Sequence, residues 1–214
     1  MNGNNLKRDK ALGLLQQKGL DGLIIYSGGT CSLLRPSYLY YFAQFKPMGP
    51  RNAAVISKRG DIRLLVEPRW DAIRAKGKSW IEDVQGSSDF VNDLTGMMDQ
   101  FGMNGSVGVV GSKEMTSDVY EGIEKQAVIV QADDIVEEIA GEKSERDLEI
   151  VRKTGSIADT GFRAFLEHAR IGTREYELVA LANQKMFLMG AERVEAVNSV
   201  SGWLAAYLTY EGPW

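Results

Sequence analysis

The sequence predicts an α/β protein in two parts: an N-terminal domain on a mixed sheet flanked by helices over residues 1–142, then helices feeding a strand over residues 143–214. Three observations lead there. Short apolar runs rich in β-formers alternate with helical runs up to about residue 140. Two of those runs flank the turn Lys58-Arg59-Gly60-Asp61, which joins neighbours only if they are antiparallel, so the sheet is mixed. Residues 143–172 then carry the longest helical signal in the chain, with Leu148, Val151, Gly155, Ala158, Phe162, Phe165, Leu166 and Ala169 in steps of three and four along one face.

In chain order, Ala11, Leu12, Leu14 and Leu15, with Leu6 a turn earlier, predict a first helix that stops at Gly19, a natural left-handed cap. Leu23, Ile24, Ile25 and Tyr26 form a short buried strand. Residues 37–45, SYLYYFAQF, are aromatic-rich and read as a strand ending in the loop Lys46-Pro47-Met48-Gly49-Pro50-Arg51. The hairpin strands are residues 53–57 and 62–66, with Gly60 supplying a positive φ. Residues 68–76 read as a helix with Trp70 and Ile73 inward, and residues 80–84 as a short strand. A helix over residues 89–101 buries Phe90, Leu94, Met97, Met98 and Phe101. Strands at 107–110 and 127–130 enclose a short helix marked by Tyr120 and Ile123, and a connector helix covers 133–140.

Within the long helix, Ser144 and Asp147 have capping-box spacing, and Phe162 is expected to be buried in the stripe. Gly172 stops that helix. Thr173 is placed to cap the next one, residues 175–189, whose inner side is Leu178, Ala182, Met186 and Met189. A strand is expected over residues 194–200.

Composition narrows the function classes. Hydrophobic residues at 44% and charged residues at 25% are ordinary for a globular protein. A net charge of −4 gives no broad positive field for nucleic acid. No run approaches the length of a membrane span and the N-terminus lacks a signal-peptide apolar block, so a cytoplasmic protein without membrane partners is expected. Cys31 is the only cysteine, which excludes an internal disulfide and a cysteine-based zinc cluster. His168, the only histidine, sits beside Glu167 near a helix end and reads as a surface residue. The acidic group Asp133, Asp134, Glu137 and Glu138 reads as the negative first turn of a helix rather than a metal site. Ser27-Gly28-Gly29-Thr30 and Gly111-Ser112-Lys113 lack the spacing of known phosphate loops and read as turns. A nucleotide-binding domain remains a third option through Ser27 to Thr30. No motif here declares a reaction.

Taken together, SYLYYFAQF, ISKRGDIRLLVEP, KSERDLEIVRKTGSIADTGF and IGTREYELVALANQKMFLMGAE resemble the creatinase, prolidase and Xaa-Pro aminopeptidase family of metallohydrolases. That resemblance implies a creatinase-type N-terminal domain, followed by the opening helices of an α+β "pita-bread" catalytic domain. It implies a divalent metal pair, manganese, cobalt or zinc, in a full-length member. No cofactor is expected on this chain, because the family's two Asp, one His and two Glu ligands have no counterparts in it. It further implies a peptide or small C–N substrate for the whole protein and a homodimer in which one subunit's N-terminal domain closes its neighbour's active site. Arg51 is then the candidate substrate-side contact, and Phe45 and Trp70 are candidate pocket walls. No catalytic residue carries over. The expected function is the N-terminal portion of such a hydrolase, inactive by itself. The alternative is a non-catalytic interaction or oligomerisation module of the same fold.

Overall fold

The computed structural model describes residues 3–29 and 37–194. Thr30, Cys31 and nearly all of the strand expected over 194–200 lie outside the described residues. The chain divides into two compact units, Met1–Glu142 and Lys143–Trp214.

In the first unit six strands form one sheet: β1 (Gly22–Ser27), β2 (Asn52–Ser57), β3 (Ile62–Val66), β4 (Val84–Gly86), β5 (Ser106–Val110) and β6 (Val128–Gln131). Their spatial order is β4-β3-β2-β1-β5-β6, and β2 alone runs against its neighbours. β1, β2 and the second half of β3 are buried on both faces, which is why LIIY and AAVI read as unbroken apolar runs. Alternate residues feed two cores. Leu23, Ile25, Ile56 and Leu64 face α1 (Gly3–Lys18), α2 (Tyr38–Ala43), α3 (Asp71–Lys78) and α6 (Asp133–Gly141). Ile24, Tyr26, Val55 and Leu65 face α4 (Phe90–Phe101) and α5 (Ser117–Glu124).

The α1 reading holds, with Ala11, Leu14 and Leu15 buried and Gly19 at φ 64°. All five residues expected inside α4 are buried, and Asp89 caps that helix. The hairpin has the expected strands, and Gly60 takes φ 93°.

Six expectations need correction. Residues 38–43 form a helix, not a strand: Leu39, Phe42 and Ala43 have helical spacing and are buried, Ser37 caps the start, and Gln44 stops it in the left-handed region. The strand expected at 80–84 lies instead at Val84–Gly86. Residues before it form a bend in which the Trp80 indole N–H donates to Phe42 O at 2.5 Å. The inner face of α3 is Asp71, Ala72 and Ala75, while Trp70 and Ile73 point outward at 58% and 80% exposure. Asp71 takes the inward place because its carboxylate is consumed, accepting from Met48 N at 3.0 Å and pairing with Arg74 at 2.8 Å.

In the second unit, α7 (Glu145–His168) starts with the Ser144–Asp147 capping box and packs on α8 (Glu175–Leu188). The other three corrections lie here. Phe162 is 63% exposed, and Leu166 and Val151 are also exposed; the buried positions on α7 are Gly161 and Ala164. A Cβ on Gly161 would lie 2.7 Å from Met186 Cγ, so the two helices meet through small residues beside the apolar stripe. Leu178, Ala182 and Met186 are buried on α8 as expected, but Met189 is exposed. Arg174, not Thr173, is the N-cap, its backbone N–H donating to Glu177 at 2.9 Å, while the Thr173 hydroxyl donates to His168 O.

Two pairs of substitutions test this packing. A Cβ at Gly49 would overlap the Glu67 carbonyl, whereas one at Gly77, inside α3, would meet nothing within 4 Å. Gly49→Ala should cost about 1–3 kcal/mol and Gly77→Ala should gain about 0.5–1 kcal/mol, both read from urea midpoints. In the second unit, Gly161→Val should cost more than Phe162→Ala, which removes an exposed ring and should stay within about 0.5 kcal/mol.

Candidate functional site

The sheet's strand directions bring the C-terminal ends of β1, β3, β4 and β5 to one edge, together with the N-terminal end of the reversed β2. Carboxyl edges of such sheets are where ligands bind, because loops from several strands converge there. Here the edge carries Arg51, just before β2, and Glu67, just after β3.

Arg51 is held in place. Its Nε and Nη2 donate to the two carboxylate oxygens of Glu67 at 2.6 and 2.9 Å, and its Nη1 donates to Asp118 Oδ2, in the first turn of α5, at 3.0 Å. The Arg51 and Glu67 side chains are 28% and 15% exposed, against 55% for Asp118. The Glu67 fork is therefore the rigid half of the cluster and Asp118 the solvated half. The Glu67 hydrogen bonds raise the guanidinium's pKa further. The Thr116 hydroxyl, followed by smaller contributions that include Arg51, holds the Asp118 carboxyl below its ordinary value. Burial raises the phenol of Tyr26, whose ring meets Phe90 edge-on at 6.1 Å behind the cluster.

Backbone contacts lock the loops around it. Asn52 Nδ2 donates to Gly49 O at 2.8 Å and Glu67 N donates to Arg51 O at 3.1 Å. Gly29 and Gly49 lie where any side chain would strike the neighbouring backbone, so the loops after β1, before β2 and after β3 stack directly on one another.

The two turns considered as phosphate loops are already engaged by carboxylates of this chain. Gly28 N donates to Glu114 Oε2 at 3.0 Å, and Gly111 N donates to Asp133 Oδ1 at 2.7 Å. Two more of the acidic group are likewise tied down: Asp134 pairs with Lys18 at 2.6 Å and Glu137 accepts from the Tyr38 hydroxyl at 2.7 Å. Among the described residues no three His, Cys, Asp or Glu side chains are grouped to hold a metal, so a divalent metal pair does not fit them. His168 ends α7, its Nδ1 2.8 Å from Ala164 O.

The three candidate site residues are not brought together as one pocket. Phe45 is 1% exposed and lies under the Arg74 guanidinium, 4.6 Å from its ring centre, so it belongs to the core. Trp70 stands on the surface at the start of α3, and Arg51 sits in the cluster just described. Glu67 and Asp118 escaped the sequence reading. Glu67 was within reach of it, since the hairpin register that pairs Asn52 with Val66 places Arg51 opposite Glu67.

At the opposite edge, Asp21 pairs with Lys58 at 2.7 Å and accepts from Gly105 N at 2.8 Å, and the lysine, ahead of the amide, lowers its pKa.

Comparison with known proteins gives a consistent picture. Residues 7–139 match the family described as the Creatinase/Prolidase N-terminal domain. An Xaa-Pro dipeptidase from Pyrococcus furiosus is 26% identical over 164 residues, covering 75% of this chain and 44% of that protein. A prolidase from Pyrococcus horikoshii OT3 superposes with a TM-score of 0.70 at 23% identity, over 87% of this chain and 49% of that one. An X-Pro aminopeptidase from Thermotoga maritima MSB8 gives 0.69 at 19%, over 86% and 50%. The likeness to the solved structures shows the fold, and the chain spans about half the length of the relatives it matches.

The cluster and the Asp21 pair each yield an expected outcome. Arg51→Met leaves the Glu67 carboxylate without its fork and should cost about 1–3 kcal/mol. Adding Glu67→Gln should recover part of that, measured as a double-mutant cycle in urea. The Asp21 carboxyl is depressed in the folded state, so its stabilisation is present above the unfolded pKa of about 4 and is lost as pH falls through the lower folded value. Lys58→Met should therefore flatten the loss of stability between pH 5 and pH 2, checked by urea midpoints across that range.

Proposed function

Because this chain belongs to the creatinase/prolidase N-terminal domain family, by its match over residues 7–139, we propose that it serves a metal-dependent hydrolase of Xaa-Pro peptides as the domain that covers the active site. The similarity to the Pyrococcus furiosus Xaa-Pro dipeptidase carries the choice of substrate class. A creatinase-type C–N substrate is the alternative within the same family. Residues 143–214 are proposed to be the opening of the pita-bread domain, and the cell compartment to be the cytoplasm. No described helix is long and apolar enough to cross a membrane, which fits that setting.

Hydrolysis of an amide by two metal ions needs bridging carboxylates to hold the metals that activate the water. The described residues do not group to provide them. The part assigned to this chain is therefore contact and closure. Arg51 is its proposed substrate-side residue: Glu67 fixes the guanidinium, and the exposed Asp118 is the partner that a substrate carboxylate could replace.

Manganese, cobalt or zinc added to the purified chain should give no turnover of Xaa-Pro dipeptides above background; metal-dependent turnover would overturn the assignment. A second reading, an association module, is favoured by one observation: Val151, Phe162 and Leu166 leave an apolar stripe exposed along α7. Exposed apolar area is unfavourable by roughly 25 cal/mol per Å², which favours a homodimer through this unit. Light scattering should show a dimer that Phe162→Ser with Leu166→Ser dissociates, and a monomer at high concentration would remove this reading.

A further inference from the structure

We propose that the outer face of α3, beside the Arg51 edge, is a docking surface for an acidic, apolar segment of a partner protein. Trp70 and Ile73 lie three residues apart with Trp70 in helical dihedrals, so both sit on one face. Met48 is exposed on the neighbouring loop, whose amide at that residue is bonded to Asp71 at the start of the helix. These three are 58%, 80% and 70% exposed, high values for large apolar side chains.

The platform beneath them is rigid. Asp71 is fully buried, pairs with Arg74, and bonds the loop at Met48; Arg74 also donates to Lys46 O at 2.8 Å. The buried Asp71 carboxylate and its half-exposed partner Arg74 thus hold the helix start and the Met48 loop in one arrangement, and a surface ordered before binding loses little entropy on binding. Trp, Met and Arg are also the residue types enriched at contact surfaces.

Charge selects the occupant. Arg69, Lys76 and Lys78 flank the patch, all exposed and without an ion-pair partner among the described residues, whereas Arg51, Lys58, Arg63 and Arg74 are each spent on a carboxylate. Of the carboxylates nearest these cations in sequence, Glu67, Asp71 and Asp83 are taken by Arg51, Arg74 and Arg63, which leaves the exposed Glu82 against three cations. A second copy docking patch to patch would press these cations against their own images, which is unfavourable. An extended polyanion such as a bilayer or nucleic acid meets the field of a chain whose net charge is −4. A short segment with a few carboxylates senses only charges within about 8 Å at physiological salt, and there the field is positive.

The test uses a fluorescein-labelled peptide with leucines at helical spacing and glutamates between them, followed by anisotropy against the whole chain. Binding should weaken with added salt and fall about tenfold or more in Trp70→Ser and in Lys76→Glu with Lys78→Glu. Lys125→Glu, another exposed lysine, should leave it unchanged. Circular dichroism should be the same for all of these variants, since each changed side chain is exposed. No binding, equal binding by the patch variants, or a preference for phosphatidylserine vesicles or single-stranded DNA over the peptide would each overturn the proposal.

Discussion

The arrangement of the first unit depends on one reversal, the antiparallel placement of β2 between β1 and β3. In an all-parallel sheet each strand would enter from the opposite edge, and Arg51 would lie far from the loops that follow β1 and β3. The reversal delivers it among them, directly across the hairpin from Glu67. The stacking of Gly29 on Gly49 and of Gly49 on the Glu67 carbonyl follows from the same geometry, because three chain segments must pass one edge side by side. The position of the Arg51–Glu67 fork at that edge is thus a consequence of topology.

Much of this fold was legible because its main strands are buried on both faces and announce themselves as short apolar runs between turn residues. The hairpin, α1, α4 and the mixed character of the sheet follow from local pattern and a few glycines. What failed did so for identifiable reasons. SYLYYFAQF is rich in β-forming aromatics, yet Leu39, Phe42 and Ala43 repeat with helical period, and burial of that face outweighs β propensity. On α3 the expectation that Trp and Ile face inward was defeated by Asp71, whose two partners come from a loop and from its own helix and could not be read from neighbouring residues. On α7 the apolar stripe was real, but contact with α8 runs along Gly161 and Ala164, because small side chains let the helices approach.

The candidate site was legible only in part. Arg51 came from a family resemblance, and its bond to Glu67 from counting the hairpin register. Asp118 lies on α5, and nothing local connects it to residue 51; the contact exists only once β5 and α5 have been placed beside β1. Glu114 and Asp133 show the same limit, as they meet Gly28 and Gly111 through tertiary packing alone. Their carboxylates occupy backbone amides that a bound phosphate would use, which removes the structural basis for a nucleotide site at those two turns.

At the centre of the account is the claim that residues up to Glu142 hold a complete two-sided core and orient Arg51 without help from the rest of the chain. The most direct test is urea unfolding of residues 1–142 alone, followed by near-ultraviolet circular dichroism, which reports the packing of Tyr26, Phe90 and Trp80. The account predicts one cooperative transition, with a native aromatic signal and a midpoint that Arg51→Met lowers. A broad, non-cooperative loss of signal, or a midpoint indifferent to Arg51, would contradict it.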